Sequence, residues 1–165
     1  MIEGPEANVP GRFCVRTTAF IQGRAGAFGR GRGGGGRGGG GLIDAKMRER
    51  IAIVCAETHA CEYCLSAHVA TGKMAGLSES ELHRARQMQS EDSKIDIALT
   101  FVRNVVLRRA QLPDLDFQEI REAGWTDGEI AEILLLIGLN TFTAYFNLVA
   151  QTELDFPKVP LAFPV

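Results

Sequence analysis

Residues 57–68, ETHACEYCLSAH, set Cys61 and Cys64 three apart and His68 four further on. On a helix those intervals bring both sulfurs and the imidazole onto one face. Three kinds of chemistry use such a trio: a metal half-site, a structural bridge, or thiol redox. A thiol in the first turn of a helix is held below its usual pKa by unpaired N–H groups and the helix dipole, which favours the reactive thiolate. His68 stands where it could accept the Cys64 proton, directly or through water, and a nearby carboxylate would hold its tautomer. Glu49 and Glu57, on the preceding segment, are the two candidates, and spacing alone does not choose between them.

Zinc is disfavoured because a closed tetrahedral site needs a fourth ligand, and the spacing to His59, His83 or Cys55 makes no familiar finger. A thioredoxin-type CxxC is disfavoured because that motif belongs beside the strands of a βαβ unit. Chance cysteines in a small core are the blandest reading, but Glu62 and His68 beside them argue for partial exposure.

The elements that would carry this trio are helical throughout. AKMRERIAIVCAET (45–58) puts Met47, Ile51, Val54 and Cys55 on one stripe, with Arg48, Arg50 and Glu57 among its polar positions. A second helix is expected from about Cys61 to Met74, stopped by Gly76, with both cysteines in its first turn. SESE (78–81) is a Ser-x-x-Glu capping box with Leu77 as its staple, opening a third helix to about Gln89. A fourth is expected over 93–110, with Ile95, Leu99, Phe101, Val102, Val105 and Val106 buried. DFQEIREAG (116–124) repeats the capping pattern with Asp116 and Glu119, and TDGE (126–129) opens a long last helix. That helix is apolar nearly all round, so it is expected in the domain centre or in a subunit interface. Its Asn140 and Asn147 need partners, which the site or a subunit contact could supply. Its Phe142, Tyr145 and Phe146 are read mainly as packing, with Tyr145 the best candidate to line a site. No segment alternates with period two, so the fold class is all-α.

The 165 residues suit one domain, expected over 42–165 and preceded by a flexible segment, 1–41. Fourteen of the nineteen glycines fall before residue 46, and six Arg stand against Glu3, Glu6 and Asp44 there, although the whole chain carries a net charge of −2. A linker is favoured over an RNA-binding tract, since one nearby aromatic and no RNA-binding signature accompany the arginines. No signal-type apolar region opens the chain, and runs such as ILLLIGL (133–139) are too short for a bilayer, so a cytoplasmic protein with no membrane partner is expected. Of the four cysteines, Cys55 lies on an apolar stripe and reads as a buried small hydrophobe, while Cys14 has no evident partner.

Glu49, eleven residues, then Cys61-Glu-Tyr-Cys64 and His68 resemble the Glu-x11-Cys-x-x-Cys-x3-His signature of the AhpD-like alkylhydroperoxidases, within the wider carboxymuconolactone decarboxylase family. The later LNTFTAYFNLVAQTELDFP resembles the C-terminal segment of a peroxidase-related branch, so the likeness covers about residues 46–158. It departs at Tyr63, where better characterised AhpD proteins often carry a histidine. The resemblance implies a helical bundle of about five to six helices with the CxxC at a helix N-terminus, commonly oligomeric. It implies a thiol peroxidase in which Cys64 attacks a hydroperoxide, Cys61 supplies a proton and then resolves the sulfenic acid as a disulfide, and Glu49 with His68 forms the proton relay that activates Cys64. No bound cofactor or metal is expected, only an external dithiol or lipoyl-type reductant. Two alternatives stand beside it: a carboxymuconolactone decarboxylase-type lyase, which the CxxC disfavours, and a non-catalytic thiol redox sensor or binding module.

Overall fold

The computed structural model describes residues 41–163. The Gly/Arg-rich head, from residue 1 to Gly40, and Cys14 within it lie outside the described residues. Six helices follow in order: α1 Ala45–Thr58, α2 Glu62–Met74, α3 Glu79–Arg86, α4 Ser93–Leu107, α5 Asp114–Glu122 and α6 Asp127–Ala150. Among the described residues there is no strand, so the architecture is the all-α, AhpD-like bundle.

α1 is the axis of the bundle. Its N-cap Asp44 accepts the Met47 N–H at 2.7 Å, and from Arg50 to Glu57 every residue is buried. α2, α3, α4 and α6 all pack against it. The sequence suggested a single apolar stripe with Arg50 and Glu57 on its polar side, but from Arg50 to Glu57 the helix is enclosed on every face. Arg50 is buried with an ion pair to Glu81, and Glu57 with one to Arg86.

The link from α1 to α2 is very short, and its geometry places the cysteines. Ala60 takes a left-handed conformation (φ +53°), and the Ala60 N–H bonds to Glu57 O at 3.1 Å while the Cys61 N–H reaches Ala56 O at 2.9 Å. That is a Schellman closure with alanine where glycine is usual, and the left-handed backbone costs an alanine about 1 kcal/mol. Cys61 is thereby both the end of one helix closure and the N-cap of the next helix.

The two capping boxes at Ser78/Glu81 and Thr126/Glu129 form, and Gly76 and Gly124 sit at φ +88°, each just past a helix end. Three boundaries differ from the sequence reading. α3 ends at Arg86 rather than near Gln89, because Met88 turns left-handed (φ +61°). α4 ends at Leu107 rather than Ala110, with Arg109 and Ala110 left-handed (φ +51° and +60°). α5 starts at Asp114 behind Pro113 without a side-chain cap; Asp116 instead accepts from Arg108 Nη1 at 3.0 Å and Asn104 Nδ2 at 3.4 Å.

α6 is not at the centre. It buries Ile130, Ile133, Ile137, Ala144 and Asn147 and leaves Leu134, Leu135, Phe142, Tyr145, Leu148 and Val149 exposed. At 24 residues it is long and apolar enough to cross a membrane by length and composition, which the short-run reading of ILLLIGL missed. Here it flanks α1, α2 and α4. Beyond α6 the chain runs back without helix as a strap across α2: Val159 N–H donates to Ser66 Oγ at 3.0 Å, and Lys158 pairs with Glu62 at 3.3 Å.

Candidate functional site

Cys61 caps α2, its Sγ accepting the Cys64 N–H at 3.3 Å, so the pair sits in the first turn as expected. The two are joined as a disulfide with Cα atoms 5.3 Å apart, a separation native disulfides commonly span. Both are buried in the closed state. Cys55 is buried without a bond, and desolvation pushes its thiol up to about 12, which leaves it protonated and inert.

One turn beyond Cys64, His68 Nδ1 meets Glu49 Oε2 at 2.9 Å. The two side chains are 23% and 18% exposed, enough for contact with solvent or a ligand. They border a cavity of about 300 Å³ whose other walls include Ala52, Ala67, Leu136, Thr143 and Phe156. A carboxylate hydrogen-bonded to an imidazole at the edge of a mainly apolar cavity can hold the ring in one tautomer and move a proton at a ligand too apolar to supply its own relay.

The choice between the two glutamates, open in the sequence, is made by the fold. Glu57 faces away from the cysteines: its side chain is 0% exposed, Arg86 Nε donates to it at 2.9 Å, and its other oxygen accepts the Ala162 N–H at 2.9 Å. It clamps the C-terminal strap, and Arg86 also donates to Pro160 O.

Tyr63, just before Cys64, turns its ring edge-on to Phe156 at 5.8 Å between centroids. Burial, together with the Asp155 carboxylate that it hydrogen-bonds, pushes its phenol up to about 12, so Tyr63 holds its proton at neutral pH. His59 is not turned toward the thiols; it bonds Thr141 Oγ1 at 3.0 Å and meets the Tyr145 ring edge-on at 5.2 Å, and burial holds it below its usual range. Tyr145 is thus an exposed partner of His59 and not among the cavity's lining residues. The aromatic that does line the cavity is Phe156, from the strap, which helical periodicity could not point to. His83 lies on the exposed α3 face beside Gln87.

Asn147 does belong to the site: its Nδ2 lies 3.4 Å from Cys64 Sγ. Asn140 borders the His68 cavity but satisfies its amide on Leu136 O at 2.8 Å. On the far side of the disulfide lies a second cleft, about 220 Å³, bordered by Cys61, Tyr63, Asn147, Gln151, Thr152 and Leu154. A third cavity, about 410 Å³, borders none of these cysteines; it is ringed by Arg50 with Glu81 and Arg84 with Glu91, charges that already satisfy one another. Among the described residues no three His, Cys, Asp or Glu side chains converge as a metal site.

A helical bundle with a CxxC at a helix start and a Glu–His pair one turn away defines a class. Residues 27–107 match the model of the carboxymuconolactone decarboxylase family. The fold resembles an uncharacterized peroxidase-related protein from Silicibacter sp. TM1040, at 18% identity and a TM-score of 0.67 over 84% of this chain and 68% of that one. It also resembles the debrominase Bmp8, solved in complex with 2,3,4-tribromopyrrole, at 16% identity and a TM-score of 0.64 over 85% of this chain and 70% of that one. At such identities the likeness is one of fold. No curated protein matches the chain.

Proposed function

We propose that the protein is a thiol peroxidase that reduces hydroperoxides through Cys61 and Cys64. The observation that carries this is the Glu49–His68 ion pair one helical turn from Cys64, at the mouth of a mainly apolar cavity. In the reduced enzyme the Cys64 thiolate attacks the terminal peroxide oxygen; the O–O bond breaks, Cys64 becomes a sulfenic acid, and the alkoxide leaves with a proton from the His68–Glu49 pair. Cys61 then attacks the sulfenic sulfur, forming the disulfide and releasing water. An external dithiol of lipoyl type reduces that disulfide and is itself oxidised to a disulfide, which completes the cycle without a bound cofactor. Tyr63, with its raised phenol, takes no part in the proton relay.

A family fold hosts more than one reaction, as the debrominase illustrates, so the reading rests on the cysteines and their relay rather than on the bundle. A lyase of the carboxymuconolactone decarboxylase type has no use for the CxxC, and a redox sensor would oxidise once without turning over. We place the enzyme in the reducing cytoplasm, with no membrane or nucleic-acid partner. A second copy of the chain would cover the outward apolar face of α6.

The test is a count of free thiols before and after one equivalent of a small organic hydroperoxide, with intact mass. Loss of two thiols and a two-hydrogen mass decrease is expected, followed by repeated turnover once a dithiol is added. Cys64→Ser should abolish turnover and keep the helical fold. Unreactive thiols in the wild-type chain, or turnover retained in Cys64→Ser, would sink the reading.

A further inference from the structure

Opposite the cysteine pair, the last two turns of α6 read Thr143-Ala-Tyr-Phe-Asn-Leu-Val-Ala150, and Asn147 is a primary amide in that apolar company. It is 3% exposed. Burying an amide there is costly unless both of its ends are bonded.

Both are. The left-handed Gln151 (φ +50°) ends the helix and turns Thr152 back, so that Thr152 N–H reaches Asn147 O at 3.2 Å and Thr152 Oγ1 donates to Asn147 Oδ1 at 3.0 Å. With the oxygen end held by a hydroxyl donor, the amide presents N–H to Cys64 Sγ at 3.4 Å. The reversed amide would set oxygen lone pairs against sulfur lone pairs. The orientation is therefore fixed by the helix end and does not depend on the sulfur.

A disulfide sulfur is a weak acceptor, whereas a thiolate is a charged and strong one. The same donor is thus worth most when Cys64 carries negative charge. Cys61 receives the backbone N–H that any helix cap would offer, while Cys64 has a dedicated side-chain donor. We propose that Asn147 is a further catalytic residue, an amide donor that stabilises the Cys64 thiolate and so helps make Cys64 the nucleophile. Its place in catalysis rests on the peroxidase reading; its effect on the thiolate does not.

The titratable and charged groups nearest the pair are Glu49 from α1, His59 at its C-cap, Glu62, Tyr63 and His68 from α2, Tyr145 from α6, and Asp155 and Lys158 from the strap. Asn147 has no charge of its own, so replacing it changes the field at Cys64 without altering theirs.

The experiment uses the full chain in a Cys61→Ser background and measures iodoacetamide alkylation at Cys64, resolved by peptide mass, between about pH 5 and 9. Asn147→Leu should move the inflection up by about one unit, a roughly tenfold slower alkylation at pH 6. Asn147→Asp, which keeps the shape but turns a carboxylate toward the sulfur, should move it further. Thr152→Val, which frees the amide but keeps it, should move it less and in the same direction. A merely structural role would lower Tm and leave the inflection in place. An unmoved inflection in Asn147→Asp or Asn147→Leu with wild-type circular dichroism overturns the proposal; if both misfold, an unmoved inflection in Thr152→Val does so. Oxidation of the wild-type chain by tert-butyl hydroperoxide is measured beside it. A wild type inert to peroxide with a movable inflection removes the peroxidase reading and keeps Asn147, and the converse removes Asn147 alone.

Discussion

Glu49 and Glu57 stand eight residues apart on the same helix, and each accepts from a basic partner at 2.9 Å, yet they have opposite environments. Glu49 sits where α1 and α2 border an open cavity, so its carboxylate keeps contact with solvent while it holds His68. Glu57 lies at the closed end, under the strap, with both oxygens committed to Arg86 and the Ala162 N–H. A carboxylate that must move protons needs a partner that can take up and release one, and access to a ligand. One that must hold a chain needs burial and a partner that never titrates, which arginine provides. The contrast separates a site from a clamp within two helical turns.

The comparison breaks first at Glu49. Glu49→Gln keeps a hydrogen bond to His68 but removes the charge that supports an imidazolium, and the rate of peroxide-driven Cys64 oxidation should fall by about 10²–10⁴-fold. Its urea midpoint should stay near wild type, because a part-exposed pair contributes about 1 kcal/mol or less. Stopped-flow loss of thiol together with equilibrium unfolding checks both halves.

Glu57→Ala should invert that pattern. It strands Arg86 and an N–H of the strap, a loss of about 3 kcal/mol, the lower end for a broken buried pair because Arg86 keeps some exposure. Limited proteolysis should cut within residues 152–163, and the pH dependence of Cys64 oxidation should keep its wild-type inflection. If Glu57→Ala shifted that inflection, the division between site and clamp would fail.

The smallest effect tests the end of the helix between them. His59 is held below its ordinary value of 6.5 by burial, so the folded state favours the neutral ring. Below that value the unfolded chain binds the extra proton first; stability is present above about pH 6.5 and is lost as pH falls toward the lowered folded value. His59→Gln should flatten the Tm profile between pH 7 and 5 by an amount worth less than about 1 kcal/mol, given the half-exposed ring. An unchanged acid slope in the variant would mean that other groups set it.

Much of the molecule was legible before folding. The capping box at Ser78, the helix opening at Thr126 and the glycine stop at 76 are local, since they depend on bonds within one turn, and each forms where the sequence places it, whereas the cap read at Asp116 does not form. The CxxC at a helix start, its spacing to His68 and the inert Cys55 follow from local order as well. Periodicity failed where three-dimensional company decided the outcome. From Arg50 to Glu57 α1 was read as amphipathic but is enclosed, because two of its charged residues, Arg50 and Glu57, find partners 31 and 29 residues away. α6 was read as lying in the domain centre or in a subunit interface; α1 fills the middle, and α6 keeps an apolar face outward.

The order of residues by itself determined that the described residues are helical, where most of their helices begin, and that two sulfurs and an imidazole share one face, since each depends on intervals of three or four residues. Only the tertiary structure decided that Glu49 rather than Glu57 holds His68, that Phe156 walls the cavity, and that Asn147 reaches Cys64 across 83 residues of chain. Those contacts are set by how helices cross and where a strap returns. No local interval encodes that, because the free energy that fixes it comes from burying the whole core at once.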